Sequence, residues 1–86
     1  MIGRLTLATV LLAAAAPPPG ASSCSGCHGG VPPVPALAGW PAAETVAAMQ
    51  AFRDGSKPAT VMNRIAKGFA PEEIQAIATW WARAKP

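Results

Sequence analysis

The chain is poor in what a small protein uses to build a core. Its bulky apolar side chains are Trp40, Trp80, Trp81, Phe52, Phe69 and a handful of Leu, Ile and Val, while alanine supplies much of the 51% that is hydrophobic. At 86 residues there is room for one small domain and not for a second. A lone core in so short a chain seldom supplies more than about 3–5 kcal/mol, so such domains usually add disulfides, a metal or a cofactor. Disulfides are excluded as that staple. The two cysteines, Cys24 and Cys27, lie three positions apart, and a ring that small restrains little of the unfolded chain. Also missing are an internal repeat, a block of like charge and any alternating pattern long enough for strands. Helices joined by Pro and Gly loops remain, an all-α chain in need of a bound cofactor.

No hydrophobic run is long enough to span a bilayer. Leu5 to Ala16 is weakly polar to apolar and stops at Pro17, Pro18 and Pro19. Twelve helical residues cover about 18 Å, against a hydrocarbon core of about 30 Å. With Arg4 ahead of it, the run reads as a secretory signal peptide, residues 1–21, cut after Ala21 or Ser22 to leave a mature domain of 22–86. A lipid anchor at Cys24 is the lesser reading, because it would consume a cysteine needed below. Export places the mature chain in an oxidising, periplasmic compartment.

In the mature part, Gly29 to Gly39 holds three prolines, which fix φ and remove donors, and this predicts an extended loop. A helix is predicted from Pro41, with Glu44 and Arg53 complementing its ends and Gly55 stopping it. Its apolar stripe is Val46, Met49 and Phe52. A short helix is predicted over Thr60 to Lys67, with Thr60 as its cap and Gly68 closing it. A last helix starts at Pro71 with Glu72 and Glu73 and ends with Arg83 and Lys85. Ile74, Ile77, Ala78 and Trp81 share its apolar face, and Trp80 flanks it.

What the chain does carry is Cys24-Ser25-Gly26-Cys27-His28, the pattern of c-type haem attachment. Thiols three residues apart on a helical turn share a face, where both can add to vinyl groups, and the next residue brings an imidazole to iron. A covalent haem would supply the missing core. A thioredoxin-like dithiol wants a βαβ setting that the chain cannot build. A zinc site wants more ligands than two thiols and the lone histidine, His28. The remaining iron position suits a thioether, which favours ferrous iron. Met49 lies on an apolar stripe and reads as core filler, whereas Met62 follows a loop that could fold it back over the other haem face. Met62 is the favoured axial ligand.

The order His28, Pro35-Ala36-Leu37-Ala38-Gly39, Met62, Ala66, Glu73 and the pair Trp80-Trp81 resembles class I c-type cytochromes. The stretches Ala51 to Met62 and Ile65 to Phe69 look more specifically like the cytochrome subunit of flavocytochrome c sulfide dehydrogenase. The resemblance implies a small class I fold around one covalent haem c, held by Cys24 and Cys27, with His28 and Met62 on iron. It implies that the Pro35 carbonyl accepts from the His28 imidazole, with Pro32 and Pro33 close by as competitors for that place. It also implies a flavoprotein partner that oxidises sulfide. One departure stands out, because only Ala21 to Ser23 separate the polyproline from Cys24. The first helix is therefore expected to be truncated. Trp80 and Trp81 are then expected on the haem and partner surface, or part of the domain lies outside this chain.

The formal charge is +3, and loss of Arg4 with the leader leaves six basic against four acidic residues. Two haem propionates bring the total near neutrality, which argues against a nucleic-acid partner. Arg53 is the propionate candidate, while Lys57 and Lys67 read as a solvated face. The function expected is electron transfer without bond chemistry, as the accepting subunit of a flavoprotein sulfide dehydrogenase. A free soluble cytochrome carrier is the alternative. A haem-based ligand sensor or peroxidase-like protein would require an open iron site.

Overall fold

The structure is a computed structural model and describes residues 16–85, so most of the expected signal peptide lies outside the described residues. Four helices follow one another: α1 (Ala21–His28), α2 (Ala42–Asp54), α3 (Met62–Ala66) and α4 (Pro71–Arg83). No strand occurs among the described residues, and the fold class is all-α as the periodicity predicts. No helix among them is long and apolar enough to cross a membrane.

The two long helices form where the apolar period places them. In α2, Pro41 is the residue just outside the helix rather than its first member, Glu44 stands in the first turn and Arg53 in the last. Gly55 ends it at φ 84, a left-handed conformation in which a Cβ would be strained. In α4, Pro71 opens the helix and the Glu73 carboxylate reaches back to accept the Ala70 N–H at 2.7 Å. This is one half of a capping box, since Ala70 has no acceptor to return. The short helix differs from expectation. α3 begins only at Met62, Val61 precedes it, and Thr60 caps nothing. With Lys57 and Pro58 in the approach, the chain is still leaving the Asp54–Ser56 turn, and Thr60 has not reached the helix axis.

Two small apolar clusters hold the helices together. Met49 of α2, Ala66 of α3 and Ile74 of α4 form one, with Val46, Phe52, Met62 and Phe69 packed on it. Ala21 of α1 with Ile77 and Trp81 of α4 form the other, with Cys24, Leu37, Ala38, Phe69 and Trp80 around it. Phe69 touches both. α4 thus packs against α1 on one side and against α2 on the other, while α2 and α3 pack together and α1 packs against neither of them.

The first helix is short, with one turn ahead of Cys24, but it is not without a partner. Trp81 is buried on α1 rather than left for a partner surface, because Gly20 and Ala21 are small enough to let α4 approach. Trp80 is half-buried and meets Trp81 edge-on at 5.0 Å between ring centroids.

Ile74 is the largest side chain that is fully enclosed, at 1% exposure. Ile74→Ala is expected to cost about 2–5 kcal/mol, lowering the melting temperature far more than the neighbouring exposed-face change Gln75→Ala. Thermal unfolding followed by circular dichroism checks this, and equal melting temperatures for the two variants would contradict the packing described.

Candidate functional site

α1 carries three of the chemistry-bearing side chains within five residues. Cys24 and Cys27 lie one helical turn apart, Cys24 half-buried against the Ala21–Ile77–Trp81 cluster and Cys27 exposed. The Cys24 thiol donates to the Gly20 carbonyl at 3.6 Å. Burial pushes this thiol up from its ordinary range, against smaller opposing pulls from the Trp81 indole and the Cys24 backbone. The indole faces the sulfur without closing a well-formed hydrogen bond, and Trp81 Nε1 stays buried and unpartnered.

His28 is the last residue of α1. Its Nδ1 lies 2.7 Å from the Pro35 carbonyl oxygen across the intervening loop. A carbonyl only accepts, so this contact places the proton on Nδ1 and leaves the Nε2 lone pair free for a metal. Pro32 and Pro33 are not the partners. The loop is tied at its far end as well, where the Gly39 N–H donates to the Trp81 carbonyl at 3.0 Å. A cavity of about 330 Å3 opens beside His28, lined also by Ser25, Gly30, Ala36, Trp81 and Lys85. Cys24, Cys27, Met49 and Met62 do not line it.

The remaining candidates sit on the α2–α3 side. Met49 is buried at the centre of its cluster, and Met62 is half-buried at the first position of α3. Arg53 is exposed in the last turn of α2, where its charge complements the helix dipole. Lys57 and Lys67 are both exposed, as a solvated face requires, and the Lys57 ammonium lies 5.3 Å from the centre of the Phe52 ring. The loop that delivers Met62 starts with a tight turn in which the Ser56 N–H donates to Asp54 Oδ1 at 2.8 Å.

The residues present fit a haem in three respects. The donor set is two thiols, an imidazole with a free nitrogen and a thioether, each of the type that a covalently attached haem requires. The His28 imidazole is already oriented by the Pro35 carbonyl, as a ligand to iron requires. Thr45 Oγ1, Asn63 Oδ1 and Trp81 Nε1 are buried without partners, each at a cost of about 1–3 kcal/mol. One of the three adjoins Met62 in sequence and another faces Cys24, as in a chain that closes around a further group. Sequence reasoning missed these three atoms and the double role of Phe69, because their burial depends on how α1, α3 and α4 meet and leaves no local signal.

Helices only among the described residues, two thiols and an imidazole on one short helix, and a thioether opening another are compatible with a small cytochrome. No family model matches the chain. It is similar to the cytochrome subunit of sulfide dehydrogenase from Chlorobaculum tepidum, with 38% identity over 63 residues, 69% of this chain and 57% of the relative. The chain therefore spans a little over half the length of that relative, and it is cytochrome-like in the manner of that subunit.

The Asp54 carboxyl is held below its ordinary range by hydrogen bonds from the Ser56 side chain and backbone. A carboxylate lowered in the folded state stabilises above its unfolded pKa, about 3.9, and loses that contribution as pH falls through the folded value. Asp54→Asn is expected to melt slightly below the parent at neutral pH and to converge on it in acid, so that its acid limb is flatter. Parallel melts across the acid range check it, and superimposable acid limbs would contradict it.

Proposed function

We propose that this chain is an exported single-haem cytochrome c that carries one electron at a time and performs no bond chemistry of its own. The observation that carries the reading is the short helix holding Cys24, Cys27 and His28, with His28 Nδ1 engaged by the Pro35 carbonyl. Haem bound there would supply an iron that cycles between its ferric and ferrous states. The chain's own residues do the rest. Cys24 and Cys27 tether the group through thioether bonds. His28 offers Nε2, and the Pro35 carbonyl holds the tautomer and the ring orientation. Met62 offers a soft thioether that favours the ferrous state, and Met49 fills the core. Arg53 stands as a candidate for a propionate, an exposed charge at the end of α2.

The relative is named as a subunit of a sulfide dehydrogenase. By that likeness, this chain is the electron-accepting subunit of a periplasmic flavoprotein complex that oxidises sulfide. Copurification with a flavin-bearing chain in a native extract supports the subunit, and a lone cytochrome there supports a free carrier.

The assignment of ligands is tested on protein from an exporting, haem-attaching host. The Cys24→Ala, Cys27→Ala double variant is expected to lose haem on a denaturing gel where the parent keeps it. Met62→Leu is expected to open the iron, so that the reduced protein binds carbon monoxide. Met49→Leu leaves the iron closed and costs less than about 1.5 kcal/mol, as a swap of similar volume. Carbon monoxide binding by the Met49 variant and not by the Met62 variant would reverse the assignment.

A further inference from the structure

Residues 18 to 21 belong to the folded domain. Ala21 is fully enclosed between Ile77 and Trp81. Its N–H donates to the Pro18 carbonyl at 3.0 Å, and the Gly20 carbonyl accepts from the Ser23 hydroxyl at 2.6 Å and from the Cys24 thiol at 3.6 Å. Gly20 sits at φ +91, and a Cβ there would lie 2.5 Å from Phe69 Cε1 and 3.3 Å from Ile77 Cδ1. Upstream still, Ala16 and Pro18 border a cleft on α4 beside Ala76, Thr79, Trp80 and Arg83.

A cut after Ala21 or Ser22, where small residues first suggest it, would remove this packing. It would bare Ile77, Trp81 and the Phe69 ring to water. It would also place a charged α-amino group at the start of α1, where the helix dipole is already positive. Resting on the export reading, we infer that the leader is removed upstream of Pro17, so that the mature chain keeps Pro17 to Gly20 as the segment leading into α1, together with Ala21. Small residues at the third and first positions before a cut are the mark of leader processing. Ala13 and Ala15 meet it, and the bond from Ala15 to Ala16 has an ordinary N–H. The next bond, Ala16 to Pro17, has none and carries a proline ring at the scissile nitrogen. The cleavage site assigned is Ala15–Ala16.

The full chain is expressed in an exporting, haem-attaching host, and the purified protein is read by intact mass and by its N-terminal peptide. The result expected is a start at Ala16. A start at Ser22 or Ser23, or a chain retaining Met1, overturns the inference. The same spectrum separates this result from the cytochrome reading: a haem-bearing chain starting at Ser22 overturns only the cleavage site, and a haem-free chain starting at Ala16 overturns only the haem. A second measurement uses two mature forms, starting at Ala16 and at Ser22, each behind a leader cut at that point. The shorter form is expected to melt at a lower temperature, and equal melting temperatures would show that residues 16–21 are not part of the fold.

Discussion

One residue of α4 holds both ends of the segment that carries the chemistry. The Trp81 side chain packs on Ala21 and Cys24 at the start of α1, and the Trp81 carbonyl accepts the Gly39 N–H at the end of the proline loop. Between these two anchor points the chain runs out through Cys27 and His28 and back through Pro35. The His28 to Pro35 hydrogen bond then braces the middle of the excursion. Among the described helices α1 packs on α4 alone, so its orientation, and with it the direction of both thiols and the imidazole, is set where Ile77 and Trp81 meet it. Such an arrangement can be rigid at little cost in residues. Prolines restrict the returning limb, and the ordering entropy still to be lost on closing the loop is correspondingly small.

The same arrangement explains why the chain gets by with so few bulky side chains. Its two clusters are each built around three buried residues, and Phe69 alone lies against both. Neither cluster is a core in the ordinary sense, and no packing between α1 and α3 joins the His28 side to the Met62 side. A haem bonded to α1 and ligated from α3 would be the connection; tethered covalently, it stays on the unfolded chain too, so it would stabilise the fold through the ligation and burial made only in the native state. Folding and cofactor attachment are on this view one process.

Much of this was legible in the sequence, unevenly. α2 and α4 announce themselves because an apolar period, acidic first turns, a proline at the entry and a glycine at the exit of α2 all agree. The Cys24–His28 run is legible for a different reason: the spacing is itself the chemistry. The place of Pro35 rested on resemblance, since nothing local distinguishes it from Pro32 or Pro33, and only the folded loop sets its carbonyl 2.7 Å from Nδ1. Thr60 misled because a threonine before a helical run fits a cap, yet a cap also needs the backbone to turn there, and the chain does not turn until Val61. Trp81 misled more deeply. An apolar face on the last helix with no evident first helix to receive it suggests a haem or partner surface, and the real recipient, Ala21 after Gly20, hides among residues that composition assigns to a leader.

That last confusion has a physical root. Small residues suit a processing site because they fit a narrow protease cleft, and they suit a helix crossing because they allow close approach; the composition is the same and the purpose differs. Gly20 separates the two. A cleavage signal has no use for a left-handed backbone, whereas the φ of +91 at Gly20 turns the chain from the proline run into α1 and brings it within reach of Phe69 and Ile77. With the proline run before it and a helix after it, this turn belongs to the folded domain and not to a leader. The fold thus begins a full turn before its first cysteine, and that turn is what gives Trp81 something to hold.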